Sequence, residues 1–322
     1  GQVMGIMGEP GVGKSRLLYE FRESLAASGI DYLEARCLSH GGAVPYLPIA
    51  DVLRRDWGIA EDEAPDAAAA RVRQGVEAVG MESNEATAHL LWLLGVREGA
   101  ESLAQLSPES VKRRAFETLR SLLLQLSRRR PLVLAVEDLH WIDRSTEEFL
   151  TTFVAAVGGA HILFLATYRS GYQPPWIERS SVTQLALPPL SAGESRAVVT
   201  SILTPAGAPE GIVRGIVARA DGNPFFLEEL AWTAASATSR AEAGAVPGTV
   251  QETLAARIER LPGPARDVLE AASVLGREVD HRLLAMLMER PAALDADLRE
   301  LVRLVFLHER PAVGPPAHVF KH

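Results

Sequence analysis

Apolar residues in the first two thirds of the chain form short runs of the length typical of buried β-strands. Five such runs stand near residues 2–7, 30–35, 132–136, 162–166 and 182–187. Between the first two runs, Leu17, Leu18, Phe21 and Leu25 recur at helical spacing, and Gly29 follows them. The order strand, helix, glycine, strand indicates a βαβ unit. We therefore expect an α/β domain with a five-stranded, mainly parallel sheet.

A helical insert at about 41–127 interrupts the series of strands. Apolar stripes at helical spacing cover Leu90–Leu94 and Val111–Leu126, and three arginines followed by Pro131 end the last helix. Basic residues favour the C-terminal end of a helix, and Pro prevents its continuation. The insert is either a lid over a site or a set of extra packing layers on the sheet.

Beyond Ser191 the pattern becomes mainly helical. Helices are predicted near 191–203, 208–219 and 224–239, and at 250–261 and 268–275 after a linker at 241–248. Two short extended pieces around Pro311–Pro316 fit a hairpin. We predict three parts: an α/β domain at 1–189, a helical domain at 190–243, and a winged-helix-like α+β module, cut short, at 244–322.

Composition excludes several classes of protein. Lys and Arg number 33 and Asp and Glu number 41, which gives a formal net charge of −8. An acidic chain argues against DNA or RNA binding through phosphate neutralisation. The single cysteine, Cys37, excludes an internal disulfide bond, and Cys37-x-x-His40 lacks the second pair of ligands that a zinc site needs.

The longest apolar stretch, Phe149–Tyr168, is interrupted by threonines, two glycines and a histidine. It therefore predicts a helix followed by a strand instead of a membrane span. No targeting segment is recognisable, and we expect a cytoplasmic protein without membrane contact. The chain starts with Gly1 instead of a methionine, from which we expect it to be an excerpt of a longer polypeptide.

The loop GEPGVGKS at residues 8–15 matches the phosphate-binding pattern G-x-x-x-x-G-K-[ST] at every fixed position. Its glycines let successive backbone N–H groups point at one anion, and the following helix directs its positive end there. Lys14 can reach the β and γ phosphates, and the Ser15 hydroxyl can ligate Mg²⁺. The residues expected to contact the nucleotide here are Gly8, Glu9, Pro10, Gly11, Val12, Gly13, Lys14, Ser15 and Arg16.

Two acids, Glu137 and Asp138, directly follow the LVLAV run. A P-loop site needs an acidic group across the sheet, and ligands of open α/β sheets bind at the carboxyl ends of the strands. We assign Glu137, with Ser15, to Mg²⁺ and Asp138 to water activation, although the reverse assignment stays open. Asp143 or Ser145 is expected to cap the next helix.

Arg169 follows the ILFLA run and could stabilise charge on the γ-phosphate; a surface arginine at the start of a loop is the alternative. His140 and Trp141 are more typical of packing than of catalysis. The Gly222–Pro224 turn places Pro224 in the first turn of a helix, which an ordinary helix–helix turn also explains.

Five motifs occur along the chain in a fixed order: GEPGVGKSRLL, LVLAVEDLHWIDRST, LFLATYRS, DGNPFFLEEL and VPGTVQETLAARIERLP. In these motifs the chain resembles the AAA-type ATPase module of the STAND class. It most closely resembles the ATPase region behind the catalytic domain of bacterial class III adenylate/guanylate cyclases, and that of large LuxR-type transcriptional regulators. The resemblance spans almost the whole chain.

The resemblance implies a role for individual residues. Lys14 and Ser15 match the Walker A positions, and Glu137 and Asp138 match the Walker B positions. Arg169 matches sensor 1, and Pro224 matches the Gly-x-Pro motif on the adenine side of the nucleotide. Members of the class use bound ATP or ADP as a conformational switch that regulates an attached effector. Their winged helix usually packs on the nucleotide domain and does not read DNA.

We therefore expect an ATP-binding regulatory module with slow Mg²⁺-dependent hydrolysis. Its cofactors would be ATP or ADP and Mg²⁺. Its partners would be an effector on the same polypeptide, a cyclase or a transcriptional regulator, and other copies of itself in a nucleotide-dependent association. Two alternatives stay open: a non-hydrolysing ATP/ADP-binding scaffold, and an origin-recognition-like DNA-associated ATPase. Direct DNA binding is disfavoured by the net charge of −8.

Overall fold

The computed structural model describes residues 1–38, 45–60, 63–81, 83–203, 209–235, 250–259, 261–276, 278–288, 293–304, 306–310 and 317–320. The chain divides into two compact units, Gly1–Pro189 and Leu190–His322. The first unit holds a five-stranded sheet, and the second holds a three-stranded sheet. The predicted linker at 241–248, the extended pieces at 311–316 and His40 lie outside the described residues.

All strand pairings in the first unit are parallel, as predicted for its sheet. The strands are β1 (Gln2–Met7), β2 (Asp31–Arg36), β3 (Leu132–Glu137), β4 (Ile162–Tyr168) and β5 (Val182–Ala186). Their spatial order is β2-β3-β4-β1-β5. Strands β3 and β4 lie inside the sheet, which explains their nearly continuous apolar sequences, since strands covered on both faces need apolar residues throughout.

The predicted insert is a set of packing layers. The helices of the first unit are α1 (Lys14–Leu25), α2 (Leu47–Trp57), α3 (Pro65–Ala78), α4 (Asn84–Leu93), α5 (Pro108–Arg129) and α6 (Arg144–Val157). Buried residues of α2 to α5, among them Leu90 and Leu122, share one core with Phe153 of α6 and Phe164 of β4. A segment that shares the main core cannot move as a free lid without exposing that core.

Parallel register brings the carboxyl ends of the strands to one edge of the sheet. Arg36 at the end of β2 stands opposite Glu137 of β3, and Met7 of β1 stands opposite Tyr168 of β4. The segments that follow β1, β3 and β4 therefore emerge together. They are the glycine loop, the acidic pair and Arg169.

The second unit combines helices with a small antiparallel sheet, ordered β6-β8-β7. Its elements are α7 (Ala192–Leu203), α8 (Glu210–Ala220), α9 (Pro224–Ala235), α10 (Val250–Glu259), α11 (Gly263–Leu275), β6 (Glu278–Val279), α12 (His281–Leu287), α13 (Leu294–Arg303), β7 (Leu307–Arg310) and β8 (Ala317–Phe320). The winged-helix character of its C-terminal part stays a prediction. Of the helices described in either unit, none has the length and apolar character that a bilayer crossing requires.

Arg257 on α10 contacts both α9 and the segment that follows α13. Its Nη1 pairs with the fully buried carboxylate of Glu229 on α9. Its Nη2 donates to the carbonyl oxygen of Leu304, just after α13, at 2.6 Å, and the guanidinium lies 4.5 Å from the centre of the Phe306 ring. One arginine therefore joins α9, which begins at Pro224, to the C-terminal helices and sheet.

Candidate functional site

The loop between β1 and α1 depends on glycine at several positions. Gly11 and Gly13 have φ values of 79° and 105°, in the left-handed region that favours glycine. A Cβ atom on Gly8 would stand 2.7 Å from Cγ1 of Val12, so position 8 has no room for a side chain. Gly13 caps α1, whose first N–H groups have no carbonyl partner inside the helix. The loop thus forms a cradle with free backbone donors, which suits an anion.

Lys14 is buried at the base of this cradle. Its Nζ donates to the carbonyl oxygens of Gly8 at 2.8 Å and Glu9 at 3.0 Å. Burial lowers the pKa of Lys14, and the positive charge of Arg169 lowers it further, whereas the carboxylates of the site raise it. The ammonium group is therefore poorly solvated and stands beside a second cation, so a bound phosphate would stabilise its charge.

Ser15, Glu137 and Arg36 form a chain of contacts between the loop and the acidic strand. The Ser15 hydroxyl donates to Oε2 of Glu137 at 2.5 Å, and Nη2 of Arg36 donates to Oε1 of Glu137 at 2.7 Å. Glu137 is 3% exposed. A hydroxyl and a carboxylate oxygen in contact are the ligand types that Mg²⁺ accepts beside nucleotide phosphates. The residues present therefore fit a Mg²⁺ ion at this position.

Asp138 has a different environment from its neighbour. Its backbone is left-handed, with φ of 60°, and its N–H donates to Oγ1 of the buried Thr167 at 3.0 Å. Its side chain is 25% exposed, and its Oδ2 lies 3.9 Å from Nε of Arg36. Of the two acids, Asp138 is the one open to solvent, so a water molecule can reach its carboxylate.

Arg169 stands at the same edge of the sheet. Its guanidinium lies 5.7 Å from the centre of the Trp141 ring, and that ring lies 5.2 Å from the ring of His140. The positive charge of Arg169 contributes to lowering the pKa of both Lys14 and His140. Arg169 thus follows β4 at the edge of the sheet where the glycine loop follows β1, and its charge acts on the buried lysine.

Two of the predicted contact residues have other surroundings. Arg16 is exposed and pairs with Glu20 one turn along α1, at 2.5 Å. Pro224 begins α9 in the second unit, where Oδ1 of Asn223 accepts a hydrogen bond from the Phe226 N–H at 3.4 Å. This cap gives the Gly222–Pro224 turn a local structural role.

Other sequence features have plain structural explanations. The carboxylate of Asp143 caps α6, accepting hydrogen bonds from the Ser145 and Thr146 N–H groups at 3.0 Å each. The Cys37 thiol is buried, which raises its pKa. In the described part of the chain, no three His, Cys, Asp or Glu residues are grouped closely enough to hold a metal ion by themselves.

Two residues that contact the acidic pair, Arg36 and Thr167, were not among the residues predicted from the sequence. Arg36 ends β2, and nothing in DYLEAR distinguishes it from an arginine at the end of any strand. Thr167 directly follows a buried apolar run. Its hydroxyl could have been expected to have a hydrogen-bond partner, because buried polar groups are nearly always hydrogen-bonded.

Known proteins match both the sequence and the fold. A sequence model of the family described as AAA ATPase domain matches residues 1–165, more than half of the 322 residues. The uncharacterized protein R02095 of Rhizobium meliloti (strain 1021) is 30% identical over 341 residues, which cover 100% of this chain and 32% of that protein. The chain thus spans about a third of the length of the curated relative it matches.

Among solved structures, the Signal Transduction ATPase with Numerous Domains (STAND) protein PH0952 of Pyrococcus horikoshii is similar in fold. It has a tetratricopeptide repeat sensor. Its TM-score is 0.56 at 12% identity, over 99% of this chain and 38% of that one. This similarity concerns the fold alone.

Proposed function

This chain belongs to the AAA ATPase domain family, and on that premise we propose that it is an ATP-binding regulatory module, a nucleotide-controlled switch with slow Mg²⁺-dependent hydrolysis. The observation that carries the proposal is the 2.5 Å hydrogen bond from Ser15 Oγ to Glu137 Oε2. It joins the loop that would hold the phosphates to the acid that would hold the metal. The similarity in fold to a STAND ATPase is consistent with a switch.

Phosphate binding would use the backbone of the glycine loop and Lys14. The N–H groups at the start of α1 donate to the β-phosphate, as helix N-termini do to anions. Lys14 exchanges the carbonyl oxygens of Gly8 and Glu9 for the β and γ phosphates. The exchange is favourable because a buried ammonium gains full negative charges in place of carbonyl dipoles.

Ser15 and Glu137 would hold Mg²⁺, with Arg36 keeping the Glu137 carboxylate oriented through its 2.7 Å contact. A Mg²⁺ ion held by these residues would supply positive charge against the negative charge of the phosphates. Asp138, the more exposed acid, orients the attacking water and accepts its proton as the bond to the γ-phosphorus forms and ADP leaves. Arg169 stabilises the charge on the terminal phosphate.

Phosphate release from Mg·ATP tests the hydrolytic part of the proposal. The wild-type chain should release phosphate slowly and only with Mg²⁺, and Asp138→Asn should reduce that rate by about 100-fold or more. Asp66→Asn, in the exposed first turn of α3, is the matched control and should retain the rate. Unchanged turnover in Asp138→Asn would remove Asp138 from its role. Background turnover in the wild type together with tight ADP binding would favour the scaffold alternative.

Hydrogen exchange tests the switch. The resemblance implies that Pro224 contacts the adenine side and that ATP and ADP favour different conformations, so we expect the helices of 209–235 to be held more firmly with ATP than with ADP. Amide exchange in these residues should therefore be slower with a non-hydrolysable ATP analogue than with ADP. The difference should vanish in Lys14→Ala. Identical exchange in the two nucleotide states would contradict a switch.

The output of the switch follows from the resemblance stated above. We propose that helices α10 to α13 with strands β6 to β8 are a winged-helix-like module that moves with the nucleotide state. The effector, a cyclase or a transcriptional regulator, would belong to the same polypeptide. Nucleotide-dependent self-association would show as a change in mass by light scattering between the ATP and ADP states.

A further inference from the structure

His140 lies in a tight turn next to the acidic pair. A 3₁₀ turn, Leu139–Trp141, follows Asp138, and the fully buried Leu139 anchors it in the core. The Trp141 N–H donates to the carbonyl oxygen of Asp138 at 2.9 Å, which fixes the turn directly after the acids. The turn therefore holds the backbone of His140 directly after the acidic pair.

Both ring nitrogens of His140 are buried, and neither has a hydrogen-bond partner within the described residues. Such atoms are uncommon in folded proteins, because an unpaired buried polar group loses its hydration without compensation. A histidine that merely packs usually satisfies at least one nitrogen. His89, the comparable buried histidine of α4, does so, since its Nδ1 is 3.2 Å from Oγ1 of Thr118.

The charges that act on His140 belong to residues of the proposed nucleotide site. Burial lowers the pKa of His140, and the positive charges of Arg169 and Lys14 lower it further, whereas Asp138 raises it. The ring is therefore neutral at neutral pH, with one N–H donor and one acceptor nitrogen. By contrast, the charges acting on His89 are those of Glu85, Arg114 and Glu117.

We propose that His140 is a substrate-contacting residue whose ring N–H donates a hydrogen bond to the terminal phosphate of a bound nucleoside triphosphate. Lys14 and Arg169, whose charges act on the ring, are the groups that would surround that phosphate. Trp141 supports the arrangement, because His140 and Arg169 both pack against its ring. The inference rests on the proposed function and adds to it a residue that distinguishes ATP from ADP.

Calorimetric titration of the full chain with Mg·AMP-PNP and with Mg·ADP tests this role. His140→Phe keeps an aromatic ring against Trp141 but has no nitrogen. It should bind AMP-PNP about tenfold more weakly, as expected for one hydrogen bond to a charged group, and ADP with unchanged affinity. His140→Gln, which keeps an N–H donor, should recover most of the affinity for AMP-PNP. His89→Phe is the matched control for the loss of a buried histidine and should bind both nucleotides as the wild type does.

Two results in a folded His140→Phe variant would overturn the proposal: wild-type affinity for AMP-PNP, or an equal loss of affinity for AMP-PNP and ADP. If the His140→Phe variant does not fold, spectra of wild-type protein labelled with ¹⁵N-histidine test the same contact. The imidazole signal that is missing in His140→Gln should shift with AMP-PNP and not with ADP, and an equal response to both would overturn the proposal. Failure of the proposed function can be told apart from failure of the His140 proposal, because in that case Lys14→Ala would bind both nucleotides as the wild type does.

Discussion

Replacing Arg36 by methionine tests the ion pair that orients Glu137. Nη2 of Arg36 lies 2.7 Å from Oε1 of Glu137, and the two side chains are 16% and 4% exposed. Methionine fills much of the space of the aliphatic stem but has no charge. The variant would leave a buried carboxylate that has lost its cation while it keeps the Ser15 hydroxyl as a donor.

The expected loss of stability is large. Removing one partner of a buried ion pair costs about 3–5 kcal/mol, because the other charge stays buried without compensation. The partial exposure of Arg36 and the remaining bond from Ser15 place the expected loss near the lower end, at about 3 kcal/mol. For a unit of this size, that corresponds to a Tm lower by about 6–12 °C.

Unfolding followed by tryptophan fluorescence measures this loss. Four of the five tryptophans lie in the first unit, so the signal reports mainly on that unit. Arg114→Met is the matched control, since Arg114 pairs with Glu85 at the same 2.7 Å but on the surface, and it should lose little. Combining Arg36→Met with Glu137→Gln should recover part of the loss. A loss below about 1 kcal/mol in Arg36→Met, or additive losses in the double variant, would refute the reasoning.

Three further changes have expected outcomes. Asp143→Ala removes an N-cap that accepts two backbone hydrogen bonds of α6, and urea unfolding should register a loss of about 2 kcal/mol. Lys112→Met should lower stability by about 0.5 kcal/mol at pH 7. Because Lys112 lowers the pKa of Glu148, this difference is fully present above the ordinary glutamate pKa and should be lost as the pH falls from there through the lowered pKa of Glu148. Arg257→Met and Glu229→Gln should each destabilise the second unit by about 3 kcal/mol in thermal unfolding, with the double variant losing less than the sum.

Features with a local cause could be predicted from the sequence. The runs LVLAV and ILFLA predicted β3 and β4, two of the three strands inside the sheet, because such strands need apolar residues on both faces. The glycine loop was predictable because phosphate binding needs a particular backbone path, and the left-handed φ values of Gly11 and Gly13 agree with it. The resemblance to an AAA-type ATPase module is confirmed by the family match over residues 1–165.

Features that depend on tertiary contacts could not be predicted. Arg36 reaches Glu137 because β2 lies beside β3 in parallel register, and the sequence of β2 contains no sign of that neighbour. The choice between a lid and packing layers for the insert depended on the core it shares with the sheet. His140 looked like a packing residue, because local sequence cannot reveal that both ring nitrogens lack partners in the described structure.

Calorimetric titration with Mg·ATP tests the central claim most directly, since the claim is that the loop before α1 binds a triphosphate. The wild-type chain should bind Mg·ATP with micromolar affinity. Lys14→Ala should weaken this binding by more than about tenfold, because it removes the cation in the cradle. Lys112→Ala, which removes a lysine that pairs with Glu148 on α6, should bind as the wild type does. Equal affinity in Lys14→Ala and the wild type would contradict the account.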